Sequence, residues 1–232
     1  MVTERHEGTP QGGPLSPLLA NLLLDEVDKE LERRGHAFVR YADDCNVYVR
    51  SRRAGERAME SLRRLYAKLR LRINESKSAV APASKRQFLG FAFWYGPGSV
   101  VRRRLAPKAL KRMKDRVRFI TKRTRGRSLQ QVCEDLKGYL QGWKQYFRLV
   151  ETPRVLTSLD QWIRHRLRAL QLKQWRHSRT IFRELRRRGM FRGAAARVAA
   201  NRRCWWKNAA MAIHIAFPNS LFDELGVPRL AA

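Results

Sequence analysis

Acidic side chains are scarce in this chain. Its 232 residues carry 20 Asp and Glu against 50 Lys and Arg, a formal net charge of +30. Between Val101 and Pro218 the only carboxylates are Asp115, Glu134, Asp135, Glu151, Asp160 and Glu184. Solubility alone needs a modest excess of one sign, roughly 2 to 8 charges for a small domain. A surplus of this size selects a polyanion as partner, with nucleic acid well ahead of an anionic membrane surface.

Cysteine is equally sparse. Cys45, Cys133 and Cys204 lie far apart, with neither paired spacing nor nearby histidine pairs, which supports neither a zinc module nor a disulfide framework. His36, His165, His177 and His214 are isolated from one another and read as structural. The opening "MVTERHEG" has no apolar core for a signal peptide, and no run is long enough to span a bilayer. A reducing, cytoplasmic setting without membrane attachment is expected. Apolar residues make up 44% of the chain, enough to bury a core as one large or two small domains.

Several elements can be read from periodicity. In "PLSPLLANLLLDEVDKELERRG", Ser16 and Pro17 suit the N-cap and first helical position, and Leu15, Leu18, Leu19, Leu22, Leu23, Val27 and Leu31 recur at helical spacing until Gly35. That predicts a helix with one buried face. "FVRYADDCNVYV" predicts two strands joined at a tight turn holding Asp43 and Asp44. Met59, Leu62, Leu65, Tyr66 and Leu69 form the stripe of a second helix, followed by a short strand around 71–73. A further hairpin turns at Gly96, Pro97 and Gly98. The order helix, hairpin, helix, hairpin predicts an α+β layer, a small antiparallel sheet covered by helices on one face. From Pro107 onward the pattern is helical: Ser128 to Gln131 forms a capping box for a helix to about Leu149, and Pro153 opens the next. No internal repeat or low-complexity linker interrupts the chain.

Paired carboxylates on a hairpin tip suit a hard divalent cation, and transfer of a nucleotidyl group requires such ions held by oxygen ligands on a rigid support. Taken alone, Asp43 and Asp44 are weak evidence for such a site, since Asp-Asp at a turn is common. Context decides more. "TPQGGPLSPLLANLLL" ahead of "YADD", then "INESKS" and "FLGF", resembles in order and spacing the palm of reverse transcriptases encoded by group II introns. The resemblance implies that Asp43 ligates the metal, with Asp44 as its less directly bound neighbour and Mg²⁺ as the cofactor. It further implies that Pro10, Gln11 and Gly12, together with Tyr41, lie against the incoming nucleotide and template, and that Lys77 protonates the leaving pyrophosphate. On residue type alone, Lys77 is also consistent with a solvated loop lysine. Leu89, Gly90 and Phe91 resemble the family's primer grip, a reading compatible with a plain core hairpin.

The second half resembles the same family. "LKGYLQGWKQYFRL", "LDQWIRHRLRALQLKQW" and "NRRCWWKNAAMAIHIAFPNSLFDELGVPRL" look like its thumb and maturase domain with an extension. Here aromatics alternate with bases, a mixture that suits RNA. Tyr139, Trp143, Tyr146, Phe147, Trp162 and Trp175 fall mostly on apolar stripes and are expected in the core. RNA contacts are expected from Lys137, Lys144, Arg148, Arg164, Arg168 and Lys173, and from Arg186, Arg187 and Arg188 in the densest basic run. The absence of Cys-x-x-Cys pairs gives no support for an endonuclease domain.

The expected architecture is therefore a partial polymerase palm over residues 1–104, an all-helical thumb and maturase domain over 105–178, and a basic helical extension over 179–232, with the boundary near 103 to 107. The resemblance implies RNA-directed DNA synthesis and a maturase role in intron splicing and mobility, with group II intron RNA and a DNA target or primer as partners. A further metal-ligating aspartate and the fingers of the family are expected ahead of the present first residue. On that expectation the chain polymerises only with a separate N-terminal fragment. The alternatives are a non-catalytic intron RNA-binding remnant and a decayed gene fragment.

Overall fold

A computed structural model describes residues 13–124, 126–210 and 212–231. The chain divides into two compact units, Met1–Arg86 and Gln87–Ala232.

In the first unit, helix α1 (Ser16–Arg33) and helix α2 (Arg52–Lys68) flank the hairpin of β1 (Ala37–Tyr41) and β2 (Asp44–Tyr48). The strands pair antiparallel with Phe38 opposite Val47 and Arg40 opposite Cys45. The buried cluster is Leu24, Val27 and Leu31, packed against Phe38, Cys45, Val47, Leu62, Tyr66 and Leu69. Ser51 caps α2, its hydroxyl accepting from the Ala54 amide at 3.2 Å.

Three sequence expectations need correction in this unit. Leu15, not Ser16, is the N-cap of α1, and no side chain caps it. The leucine stripe is buried only in its second half: Leu18 and Leu22 are 57% and 62% exposed, because a two-stranded ribbon and one helix cover only the later turns of α1. No strand forms at 71–73, where the chain finds no partner for pairing and runs irregularly into a turn.

The second unit begins with a three-stranded antiparallel sheet, β3 (Gln87–Phe88), β4 (Phe91–Tyr95) and β5 (Val101–Leu105), in that order. It is a separate sheet from the β1–β2 ribbon, and the chain is α+β. The compact units divide between Arg86 and Gln87. The cause is local packing: Phe91 of β4 lies 5.2 Å from Phe147 and 6.3 Å from Tyr146, tying the sheet to the helices that follow. Glu151 covers the outer strand, its carboxylate accepting from the Arg103 amide at 2.7 Å.

The helices after the sheet are α3 (Pro107–Ile120), α4 (Leu129–Tyr146), α5 (Pro153–Gln174), α6 (Ser178–Arg187), α7 (Arg192–Ala200), α8 (Trp205–Ala209) and α9 (Asn219–Glu224). The capping box of α4 is formed as expected, Ser128 accepting from the Gln131 amide while the Gln131 side chain accepts from Ser128. Proline occupies the start of α5, where its missing N–H is not needed. One apolar cluster runs from Leu105 to Leu230, so residues 179–232 share the core of the helices before them.

Candidate functional site

Asp43 and Asp44 sit at the tip of the β1–β2 hairpin. Tyr41 pairs with Asp44, leaving Ala42 and Asp43 as a two-residue turn, with Ala42 at a φ of +51°. All four side chains are exposed, Tyr41 to 63%. Such a tip would wander if only its own ladder held it. Arg40 prevents this.

The Arg40 side chain points to the inner face of the ribbon and reaches α1, where Nε donates to both Asp28 oxygens at 2.8 and 2.9 Å and Nη2 donates at 2.5 Å. Its Nη1 donates to Asn21 Oδ1 at 3.0 Å and to the Ala42 carbonyl at 3.1 Å. One guanidinium thus ties the carbonyl of the turn to two residues of a helix. The pair is largely sheltered, with 12% and 21% of the two side chains exposed, so its hydrogen bonds are worth more than those of a surface ion pair. Because Arg40 is committed to Asp28, its charge is not spent on Asp43 or Asp44. Neither carboxylate forms an ion pair among the described residues.

That donor set fits a hard divalent cation in kind, since it offers carboxylate oxygens on a supported turn. It does not complete a site, because no cluster of three or more His, Cys, Asp or Glu that could hold a metal exists among the described residues. Lys77 lies on the exposed turn after Asn74, its amide donating to the Asn74 carbonyl at 3.1 Å and its own carbonyl accepting from Arg86 at 2.8 Å. No hydrogen bond or ion pair joins Lys77 to Asp43 or Asp44 among the described residues. Pro10, Gln11 and Gly12 lie outside the described residues.

The bases expected to meet RNA divide into two groups. Lys137, Arg148, Lys173, Arg186, Arg187 and Arg188 are exposed. Lys144 is half-buried, donating to the Arg229 carbonyl at 2.9 Å, and Arg186 donates to the Met190 carbonyl at 2.8 Å. Arg188 pairs with Glu184 at 2.7 Å and lies over the rings of Trp175 and Phe217. Arg168 is committed inward, to the Phe217 carbonyl at 2.9 Å and Asn219 Oδ1 at 2.8 Å.

Arg164 requires a correction. It is only 3% exposed and donates to Asp223 at 2.7 Å, with Asp160 3.5 Å away, so it cannot reach an RNA in this structure. Asp223 also binds Arg229 at 2.5 Å, and Asp160 accepts from the Leu230 and Ala231 amides at 2.9 to 3.1 Å. This network stitches α5 to α9 and the chain after it. Trp143 and Phe147 are buried as expected, while Trp162 is partly exposed between Arg118 and Arg166, at 5.7 and 5.3 Å.

Sequence reading missed the Arg40–Asp28 clamp. A signal was present: Arg40 occupies the same strand face as Phe38, and a cation at a core-facing position needs a carboxylate. Arg123 was missed as well, with its guanidinium 3.4 Å from the ring centre of Trp205.

Comparison with known proteins finds two family matches along the chain. Residues 2–93 match the model of the reverse transcriptase (RNA-dependent DNA polymerase) family. Residues 110–189 match that of the group II intron, maturase-specific domain. A paired-aspartate hairpin inside the first match, followed by the basic helical bundle of the second, gives the chain a reverse transcriptase domain followed by a maturase domain. The chain belongs to the group II-type reverse transcriptase and maturase family. It is also similar to the retron Ec86 reverse transcriptase of Escherichia coli, at 34% identity over 86 residues. That alignment takes in 35% of this chain and 27% of the relative, so the chain spans about a quarter of the relative's length.

Proposed function

We propose that this chain works in RNA-directed DNA synthesis and as a maturase that binds group II intron RNA to assist splicing and mobility. The observation that carries the polymerase half is the hairpin tip: two exposed carboxylates without ion-pair partners among the described residues, on a turn anchored by Arg40, in a chain of net charge +30. Asp43 and Asp44 would hold Mg²⁺, which when bound activates the primer hydroxyl and steadies the triphosphate. Arg40 keeps the turn in place, Tyr41 offers an exposed ring beside it, and Lys77 would give a proton to the leaving pyrophosphate. Residues 1–104 would act as palm, 105–178 as thumb and maturase domain, and 179–232 as a basic extension, with intron RNA and a DNA target or primer as partners.

The test is Mg²⁺-dependent primer extension on an RNA template by the purified chain supplemented with a separate fragment that supplies the family's fingers and further aspartate, beside Asp43→Ala. Extension abolished by the substitution is the expected result; extension that survives it removes the aspartate from the mechanism. A second reading, RNA binding without catalysis, is favoured by the lack of a third metal ligand among the described residues. It requires RNA affinity unchanged by Asp43→Ala and no extension from soluble protein.

A further inference from the structure

The second unit contains a cleft of about 920 Å³ whose wall holds Arg123, Arg127, Lys173, Arg176, Arg202 and Arg203. No lining residue is acidic. These six cations come from three separate stretches: the α3–α4 connection, the end of α5, and the turn before α8. Trp205 completes the wall, with Arg123 stacked over its ring at 3.4 Å.

We propose that this cleft binds unpaired nucleotides of an RNA, a loop or bulge whose phosphates meet the arginines and whose base stacks on the Arg123–Trp205 platform. The proposal rests on the nucleic-acid reading above and gives the segment around Arg202 to Trp205 a role in it.

Three observations support it. The first is uncompensated charge. Of the six cations, only Arg127 has a carboxylate partner among the described residues, Asp135. Burial holds the Arg123 pKa below its usual value, and burial with the charges of Arg123 and Arg118 pulls neighbouring Arg166 down to about 10. Guanidiniums kept this close without acids repel one another until a polyanion joins them.

The second is preorganisation. The Gln174 side chain donates to the Arg127 carbonyl, and Arg202 donates to the Arg176 carbonyl at 3.3 Å, so the three stretches are cross-tied. Arg176 itself has a φ of +50°, a left-handed conformation that is unfavourable for a non-glycine residue and persists where the surroundings impose it.

The third is shape. Duplex bases are stacked inside their own helix, whereas a concave basic site with a ring and a guanidinium plane matches bases splayed out of a loop.

The experiment is fluorescence anisotropy with the full chain and two short labelled RNA hairpins, one carrying an unpaired bulge and one fully paired. Combined Arg123→Ala, Arg202→Ala and Arg203→Ala should weaken binding of the bulged hairpin at least about tenfold and flatten its salt dependence by about 0.7 for each phosphate that is no longer neutralised. Trp205→Leu should weaken the bulged hairpin about tenfold and leave the paired one unchanged. Arg203→Glu, an exposed position, gives the same readout should the triple variant not fold. Folded variants that bind both hairpins like the parent would overturn the cleft while leaving RNA binding by the chain intact. A parent chain that binds neither RNA, or prefers DNA of the same sequence, would overturn both.

Discussion

At the scale of single residues, the two hairpin turns show where side chains are constrained by backbone rather than by chemistry. The β3–β4 turn has Leu89 at a φ of +49° and Gly90 at +81°, the pattern of a type I′ turn, which needs positive φ at both central residues. Gly90 is also pressed against the helices: a β-carbon there would meet the Phe147 ring at 3.0 and 3.1 Å, while Tyr146 donates to the Leu89 carbonyl at 3.1 Å. Gly98, at +71°, has open space around it. Alanine at either position carries the left-handed penalty of about 1–2 kcal/mol, but only at Gly90 does a ring have to move as well. Gly90→Ala should therefore lower stability to chemical denaturation by more than Gly98→Ala. Equal losses would show that Phe147 yields freely and that the turn is not held by α4.

At the scale of elements, the long-range pairs matter most and were the hardest to foresee. Helical periodicity and the Ser128 capping box were readable because both depend on neighbours three and four residues away. The turn at Asp43 was readable for the same reason, although Asp44 opens β2 instead of sharing the turn. Burial along α1 was not, because it depends on how far the ribbon and α2 extend over the helix. Nor were the clamp from Arg40 to Asp28 and the network joining Asp160, Arg164, Asp223 and Arg229, whose closing contact, Arg164 with Asp223, spans 59 residues. Removing one member of a buried ion pair costs about 3–5 kcal/mol where the other is left unpaired. Here Asp223 keeps Arg229 and Asp160 keeps the Leu230 and Ala231 amides, so loss of the Arg164 hydrogen bonds should cost less, about 1–3 kcal/mol. Arg164→Ala should show that loss in denaturation while leaving the salt slope of RNA binding unchanged; a reduced slope would restore Arg164 as an RNA-binding side chain. The same network gives an acid limit. Hydrogen bonds from Arg229 and then Arg164 hold the Asp223 pKa below its usual value. A depressed carboxylate pKa contributes stability that is present above its unfolded value near 4 and is lost as pH falls through the lower folded value. Asp223→Asn should remove part of that acid dependence.

For the whole molecule, the two units differ in what holds them. The buried cluster of the first unit is Leu24, Val27 and Leu31, whereas that of the second runs from Leu105 to Leu230 through every helix from α3 to α9. Each fully buried aliphatic side chain contributes about 1.5–3 kcal/mol, so the second unit has far more to lose on opening. The first unit offsets part of its thin core through the Arg40–Asp28 clamp, and it leaves Leu15, Leu18, Leu19, Leu22 and Leu23 exposed on α1. Local opening draws on regions with few buried apolar neighbours, and functional elements commonly belong to them. Hydrogen exchange on the full chain in rising denaturant should show the β1 and β2 amides opening well before those of α4 and α5. Arg40→Ala should lower protection in β1 and β2 further without changing α4 or α5. Simultaneous opening of all four elements would mean that the paired-aspartate turn draws its stability from the large helical core rather than from its own clamp.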